Sequence, residues 1–250
     1  MMLHYFNKTV QGAGHIDTGK ECQDASCSWS DGYKTVIVVS DGHGGARHFN
    51  SAIGASLACQ IAKEHLLEFC DMIDAKYLKK HTSDKVKELV VSIVAHWNDS
   101  VSALKEKEDV ESFGCTLIAY FQTTDYWLAL QIGDGRCVML DKDENWKQPI
   151  PWDDRCFLNM TTSLCDENAI EEFRFAYGDA FTIPRAVFLG TDGIDGTFGT
   201  GELLYGFYNN ILTSINNEGM EIVMQQLPEV LAHYSQTFTK DDMSVAGVVN

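Results

Sequence analysis

Residues Thr35-Val36-Ile37-Val38-Val39 form an apolar, β-branched run that predicts a buried strand. It ends abruptly in Ser40-Asp41-Gly42-His43-Gly44-Gly45, a carboxylate and a histidine among glycines. Upstream, residues 2–30 alternate apolar and polar positions around glycines. That pattern predicts two strands, near Tyr5-Phe6 and Ala25–Trp29, joined by a turn near Gly19 with Asp24 entering the second. Gly32 then turns the chain into the Thr35 strand as a hairpin. The Gly12 and Gly14 pair lacks the third glycine and the following helix of a dinucleotide loop. After Gly45 the period changes: Ile53, Leu57, Ile61 and Leu66 recur at helical spacing. A second helix is predicted from about Asp84, with Val86, Leu89, Val90, Ile93, Val94 and Trp97 on its apolar side.

Strands resume at Cys115–Tyr120 and Tyr126–Ile132. The latter ends in Gly133-Asp134-Gly135-Arg136 and is predicted to continue through a hairpin into Cys137–Leu140. Residues 142–171 hold two of the four prolines and no sustained period, which predicts a long excursion, a candidate flap. Strands near Phe173–Tyr177 and over Ala186–Gly190 follow, the second ending in Thr191-Asp192-Gly193-Ile194-Asp195-Gly196. Helices are predicted over 202–215 and 219–233, and a last strand, Val245–Val249, after Asp241-Asp242. Asp141-Lys142-Asp143 opens like a calcium loop, but Trp146 and Trp152 stand where that loop needs glycine and glutamate. His65 and His96 have no partner at metal spacing and read as ordinary helix histidines.

Composition narrows the class. A chain of 250 residues, 45% hydrophobic and 22% charged, fits one globular domain over 1–250. A formal charge of −17 argues against nucleic acid or an anionic membrane as partner. The eight cysteines include no C-x-x-C pair and lie partly in apolar runs, which points to free thiols in a reducing cytoplasm. Neither a signal-type apolar segment nor a stretch of eighteen apolar residues is found. An anionic substrate would have to be drawn in by bound cations.

The aspartates could hold those cations. Asp41 and Asp192 each close an apolar strand and precede glycine, and Asp241 stands just before one. If the three strands are neighbours in one sheet, the carboxylates meet on one rim. Hard oxygen ligands without cysteine or histidine clusters favour Mg²⁺ or Mn²⁺. Two such ions, roughly 3.5–4 Å apart and bridged by a carboxylate, would lower the pKa of a bound water towards 7. They would also reverse the local field for a phosphate.

These stretches resemble, in order, the motifs of the metal-dependent protein phosphatase 2C (PPM) family, in a divergent, bacterial-type form. They are Gln23-Asp24-Ala25, Val39–Gly45, Phe113-Gly114-Cys115-Thr116, Gly133-Asp134-Gly135-Arg136, Thr191-Asp192-Gly193-Ile194 and Asp241–Val245. The resemblance implies an α+β fold of two stacked, mainly antiparallel sheets flanked by helix pairs. It implies a dinuclear Mn²⁺ or Mg²⁺ centre in which Asp41 bridges both ions, Gly42 offers its carbonyl, and Asp192 and Asp241 complete one shell. Asp24 would act on the other ion through water, and His43 would be the general acid towards a phosphoseryl or phosphothreonyl protein. A third ion would need Asp134 and an aspartate four residues after Asp192; that place is Gly196, with Asp195 one residue earlier, so the third site should be weak or empty. The family's phosphate-binding arginine, five residues before Asp24, is Gly19 here, leaving Lys20, His15 or Arg47 as substitutes. That loss keeps open an alternative: a pseudophosphatase, a regulatory binding module of the same fold with little turnover.

Overall fold

The computed structural model describes residues 3–104, 109–158 and 160–250. The first half runs β1 (His4–Val10), α1 (Ala13–Thr18), β2 (Ala25–Ser30), β3 (Thr35–Ser40), α2 (Ser51–Met72) and α3 (Ala75–Leu104). Then come β4 (Leu117–Gln122), β5 (Tyr126–Ile132), β6 (Arg136–Leu140), β7 (Trp146–Lys147), α4 (Ala169–Glu172) and β8 (Arg174–Asp179). The chain closes with β9 (Ala186–Gly190), α5 (Asp192–Phe198), α6 (Glu202–Glu218), α7 (Met220–Thr237) and β10 (Met243–Val249).

The strands form two five-stranded antiparallel sheets, β1-β10-β9-β6-β7 and β2-β3-β4-β5-β8. Side-chain alternation sorts their residues into three cores. Val36 and Val38 of β3 face α2 and α3, while Ile37 and Val39 face the other sheet. In the second sheet Phe188 and Val245 face α6 and α7, while Val187, Leu189, Ala246 and Val248 meet the first sheet. Central strands are thus covered on both faces, which is why they read as continuous apolar runs. Each fully buried valine, leucine or isoleucine contributes about 1.5–3 kcal/mol, enough to hold the register of every strand that ends at the rim. The predicted α+β sandwich of helices, two sheets and helices is the fold observed.

Four local expectations need correction. Residues 13–18 form a short helix, closed at Gly19 with φ +70, where a plain turn was expected. The helix expected from about Asp84 is preceded by a short helical part from Ala75 that the sequence did not suggest; Asp74 caps it, accepting from the amides of Lys76 at 2.9 Å and Tyr77 at 3.0 Å. His81, at φ −128 and ψ 27, breaks its helical geometry, so only the part beyond it shows a clear apolar period. β5 and β6 are not a hairpin. Both edges of β5 are taken by β4 and β8, so at Gly133–Gly135 the chain must cross to the other sheet. Gly133 makes that crossing at φ +100, against Thr116, with no room for a side chain. Finally, the strands that deliver Asp41, Asp192 and Asp241 do not share one sheet: β9 and β10 are neighbours, and β3 lies in the sheet opposite.

The α2–α3 layer is keyed to the loop after α3 at Gly54, whose carbonyl accepts Trp97 Nε1 at 3.0 Å. A Cβ on Gly54 would collide with the Phe113 carbonyl oxygen. Gly54→Ala should therefore lower the unfolding free energy by about 1–3 kcal/mol, read as a lower urea midpoint at unchanged slope.

Candidate metal centre and active-site cleft

The rim between the two sheets opens into a cleft of about 1240 Å³ lined by Asp41, Asp134, Asp192, Asp241, His15 and His43, among others. Asp41 leaves β3 with its backbone fixed on both sides: its amide donates to Thr116 Oγ1 at 3.1 Å, and its carbonyl accepts the Thr116 amide at 2.8 Å. Gly42 follows, and its amide donates to the Gln23 carbonyl at 3.1 Å. A side chain there would meet the carbonyls of Gln23 at 2.5 Å and Ser51 at 2.8 Å, so the approach requires glycine. Asp192 opens α5 directly after β9, Asp134 sits in the β5–β6 crossing, and Asp241 in the turn before β10. Three separate elements thereby bring carboxylate oxygens of Asp41, Asp134 and Asp192 within 4.8 Å of one another.

Such a cluster is electrostatically frustrated. At an effective dielectric of 20, two like charges about 4 Å apart repel by about 4 kcal/mol. Burial first, then Asp241 and Asp134, pushes the Asp192 carboxyl up to about 7. Burial, then Asp192 and Asp24, holds Asp41 well above the ordinary carboxylate range. Asp134 and Asp241 are raised as well, chiefly by burial. Among the described residues, none of the four forms an ion pair with a lysine or arginine. An all-oxygen donor set with uncompensated charge fits hard divalent cations such as Mg²⁺ or Mn²⁺.

The sequence profile of protein phosphatase 2C matches residues 11–232. The chain belongs to the protein phosphatase 2C family. That family is one of protein phosphatases. The fold is similar to that of the serine/threonine phosphatase PstP/Ppp of Mycobacterium tuberculosis, with TM-score 0.65 and 15% identity over 100% of this chain and 99% of that one. It is similar to the PstP catalytic domain solved with two manganese ions, with TM-score 0.62 and 16% identity over 99% and 97% of the two chains. It also resembles Stp1 from Staphylococcus aureus, with TM-score 0.63 and 14% identity over 100% and 96%. No curated protein matches the sequence.

In this protein phosphatase 2C chain the remaining candidates separate by position. Asp24 is buried behind the cleft and accepts Thr191 Oγ1 at 2.7 Å, and Thr191 Oγ1 in turn accepts the Ser244 amide at 3.0 Å. It ties β2 to β9 and β10 and does not line the opening. His15 lines the cleft, but its Nδ1 lies 3.0 Å from Asp242 Oδ2. Lys20 and Arg47 lie outside the lining. Lys20 Nζ is 3.5 Å from the Gly44 carbonyl, and the exposed Arg47 is 3.5 Å from Glu111. Asp195 turns away from the cluster onto Arg136 Nε at 3.1 Å, and Arg136 stacks on Trp152 at 3.6 Å. His43 Nε2 meets Ser163 Oγ at 2.8 Å, and burial, followed by neighbouring His48, lowers the His43 imidazole to about 4.

Sequence reasoning did not assign a role to Asp242, Thr191 as a bridge, or Ser163. Asp242 accepts the amides of Gly12 at 2.5 Å and Gln23 at 2.6 Å, fixing the N-terminal segment beside the cleft. Its place next to Asp241 was the available signal; Ser163 had none, lying in a stretch without period.

The raised carboxyls set a sign for stability. A carboxyl whose folded pKa exceeds its unfolded value contributes stability below about pH 4, and that contribution is lost as pH rises through the folded value. For Asp192 the loss begins above about 4 and is complete once the pH passes about 7. Chelator-treated protein should therefore melt higher at pH 5 than at pH 8. An equal or higher melting temperature at pH 8 would contradict the frustrated cluster.

Proposed function

We propose that this chain hydrolyses phosphoserine and phosphothreonine esters on protein substrates, using two divalent Mn²⁺ or Mg²⁺ ions. The convergence of Asp41, Asp134 and Asp192 in one cleft of a protein phosphatase 2C chain carries this reading. Asp41, Asp192, Asp241 and the Gly42 carbonyl would hold the pair, and the two manganese ions of the similar PstP domain favour that metal. When bound, the ions supply an activated water as nucleophile and neutralise the phosphate.

The chain's own groups do the rest. His43, at the cleft wall, would protonate the leaving seryl or threonyl oxygen, and with its imidazole lowered to about 4 it would do so best towards acid pH. Asp24 acts from behind, through Thr191, on the strand end that carries Asp192. With Asp195 Oδ2 engaged by Arg136, a third ion at Asp134 would lack a second dedicated carboxylate and would be weakly held. His15 is the cleft-lining candidate for the substrate phosphate, with Lys20 and Arg47 at the margin. The 142–171 excursion supplies a cleft wall through Leu158, Met160, Thr161 and Ser163, as a flap that selects substrates would. No described helix is long and apolar enough to cross a membrane.

No lysine or arginine lines the cleft among the described residues, which favours a second reading as a pseudophosphatase. Turnover decides between them. With Mn²⁺, the protein should cleave p-nitrophenyl phosphate and a phosphothreonine peptide, and chelator should abolish both. Asp41→Asn should fold, lose at least about a hundredfold in kcat, and lose most of the Mn²⁺-induced rise in Tm. In the wild type, metal at a hundredfold excess over its Kd adds about 2.7 kcal/mol. A folded, metal-stabilised wild type without turnover would establish the pseudophosphatase.

A further inference from the structure

Packing of α2 against α3 brings together two histidines that stand far apart in the chain. His65 Nε2 lies 3.1 Å from His96 Nδ1, with ring centroids 5.3 Å apart and ring planes at 80°. Neither residue lines the cleft. From Ser51, whose carbonyl closes on Gly42 at the rim, to His65 the helix runs roughly 21 Å at about 1.5 Å per residue. Spacing along the chain gives no hint of this pair; the tertiary fold makes it.

Core packing next to the pair holds the two helices in place. Leu66 and Phe69 of α2 and Ile93, Val94 and Trp97 of α3 are all buried. Trp97, adjacent to His96, donates Nε1 to the Gly54 carbonyl at 3.0 Å, which opposes sliding of one helix along the other. Two imidazole nitrogens about 2.0–2.1 Å from one ion lie roughly 3.3–3.4 Å apart at the tetrahedral angle and roughly 2.9 Å apart at a right angle. The observed separation falls between those limits. Each neutral ring carries one proton, so without an ion one nitrogen donates to the other. Moving that proton to the far nitrogen of its own ring frees both facing lone pairs with no net proton lost. The ion then sits just beside the line between the nitrogens, and a small pivot of the exposed His96 ring brings its lone pair onto it.

We propose that His65 and His96 form a second metal site, separate from the cleft, which takes a borderline divalent ion such as Zn²⁺ and ties α2 to α3. The donor set differs in kind from that of the cleft: imidazole suits Zn²⁺, Cu²⁺ and Ni²⁺, whereas the all-carboxylate cluster suits Mg²⁺ and Mn²⁺. Among the described residues no third ligating side chain stands close enough to join the pair, so solvent completes the shell. Charge is balanced nearby. Glu68 follows His65 by three residues and Asp99 follows His96 by three, a spacing that puts each carboxylate on the same helix face as its histidine, and both are exposed. Because the site lies on the helix layer, its ion acts on the stability of that layer, and the site stands whether or not the cleft turns over a phosphoprotein.

Zn²⁺ alone is the probe. With Mn²⁺ saturating, Zn²⁺ binding and melting temperature are measured for the wild type, His65→Asn, His96→Asn and the double variant. Zn²⁺ taken up by the cleft is common to all four proteins and drops out of the comparison. The wild type should bind one Zn²⁺ more than the double variant and gain a larger rise in Tm. Each single substitution should weaken that step at least about tenfold, and the second should add little, since a shared ion is lost with either ligand. Equal stoichiometry and affinity in all four proteins, or a loss with one histidine and not the other, would overturn the shared site. A second measurement needs no variant. At the end of the titration of ¹⁵N-histidine-labelled wild type, the His65 Nε2 and His96 Nδ1 resonances should have moved together, and either one staying in place would overturn the proposal.

Discussion

Like charges held together at the rim between two sheets set the terms for the rest of this molecule. Asp41, Asp134 and Asp192 come from three different elements, and their oxygens lie within 4.8 Å of one another. Flexible carboxylates would relax by turning into water. Here the strands behind them are buried on both faces, so the rim cannot spread without exposing valines and leucines worth about 1.5–3 kcal/mol each. Packing therefore stores the repulsion, and a cation releases it.

Around that cluster, other acidic groups are each held by hydrogen-bond donors and serve as fasteners. Asp242 takes two backbone amides and His15; Asp24 takes Thr191; Asp195 takes Arg136. The division is physical: a carboxylate with dedicated donors has little capacity left for a metal, while one facing only carboxylates needs it. Asp241 and Asp242 show the contrast side by side. Both line the cleft; Asp241 is raised chiefly by burial and accepts the Asp242 amide at 2.9 Å, while Asp242 accepts two amides from the N-terminal segment and faces His15.

The same logic bears on how the site meets a phosphorylated protein. The cleft lining is rich in carboxylates and histidines and lacks lysine and arginine among the described residues. Under the proposed reaction, attraction of a phosphate would fall to bound cations and to His15, because the long-range field of a chain at −17 is repulsive. The 142–171 excursion completes the wall without adding positive charge to the lining. It is joined to the His43 loop by one hydroxyl.

Much of this was written in the sequence. Buried strands such as Thr35–Ser40 and Ala186–Gly190 announce themselves because two-sided burial demands unbroken apolar runs, and glycine after an aspartate marks where the chain must turn at the rim. The family resemblance and the sandwich architecture were legible for that reason. Which strands share a sheet was not. Whether β5 turns back on β6 depends on its edges being filled by β4 and β8, a non-local fact that no window of residues contains. Nor could the sequence divide the aspartates into cluster and fasteners, since Asp134, Asp195 and Asp242 all read alike beside their turns. Only the packed structure, by placing Arg136 against Asp195 and backbone amides against Asp242, decided which carboxylates were left facing one another.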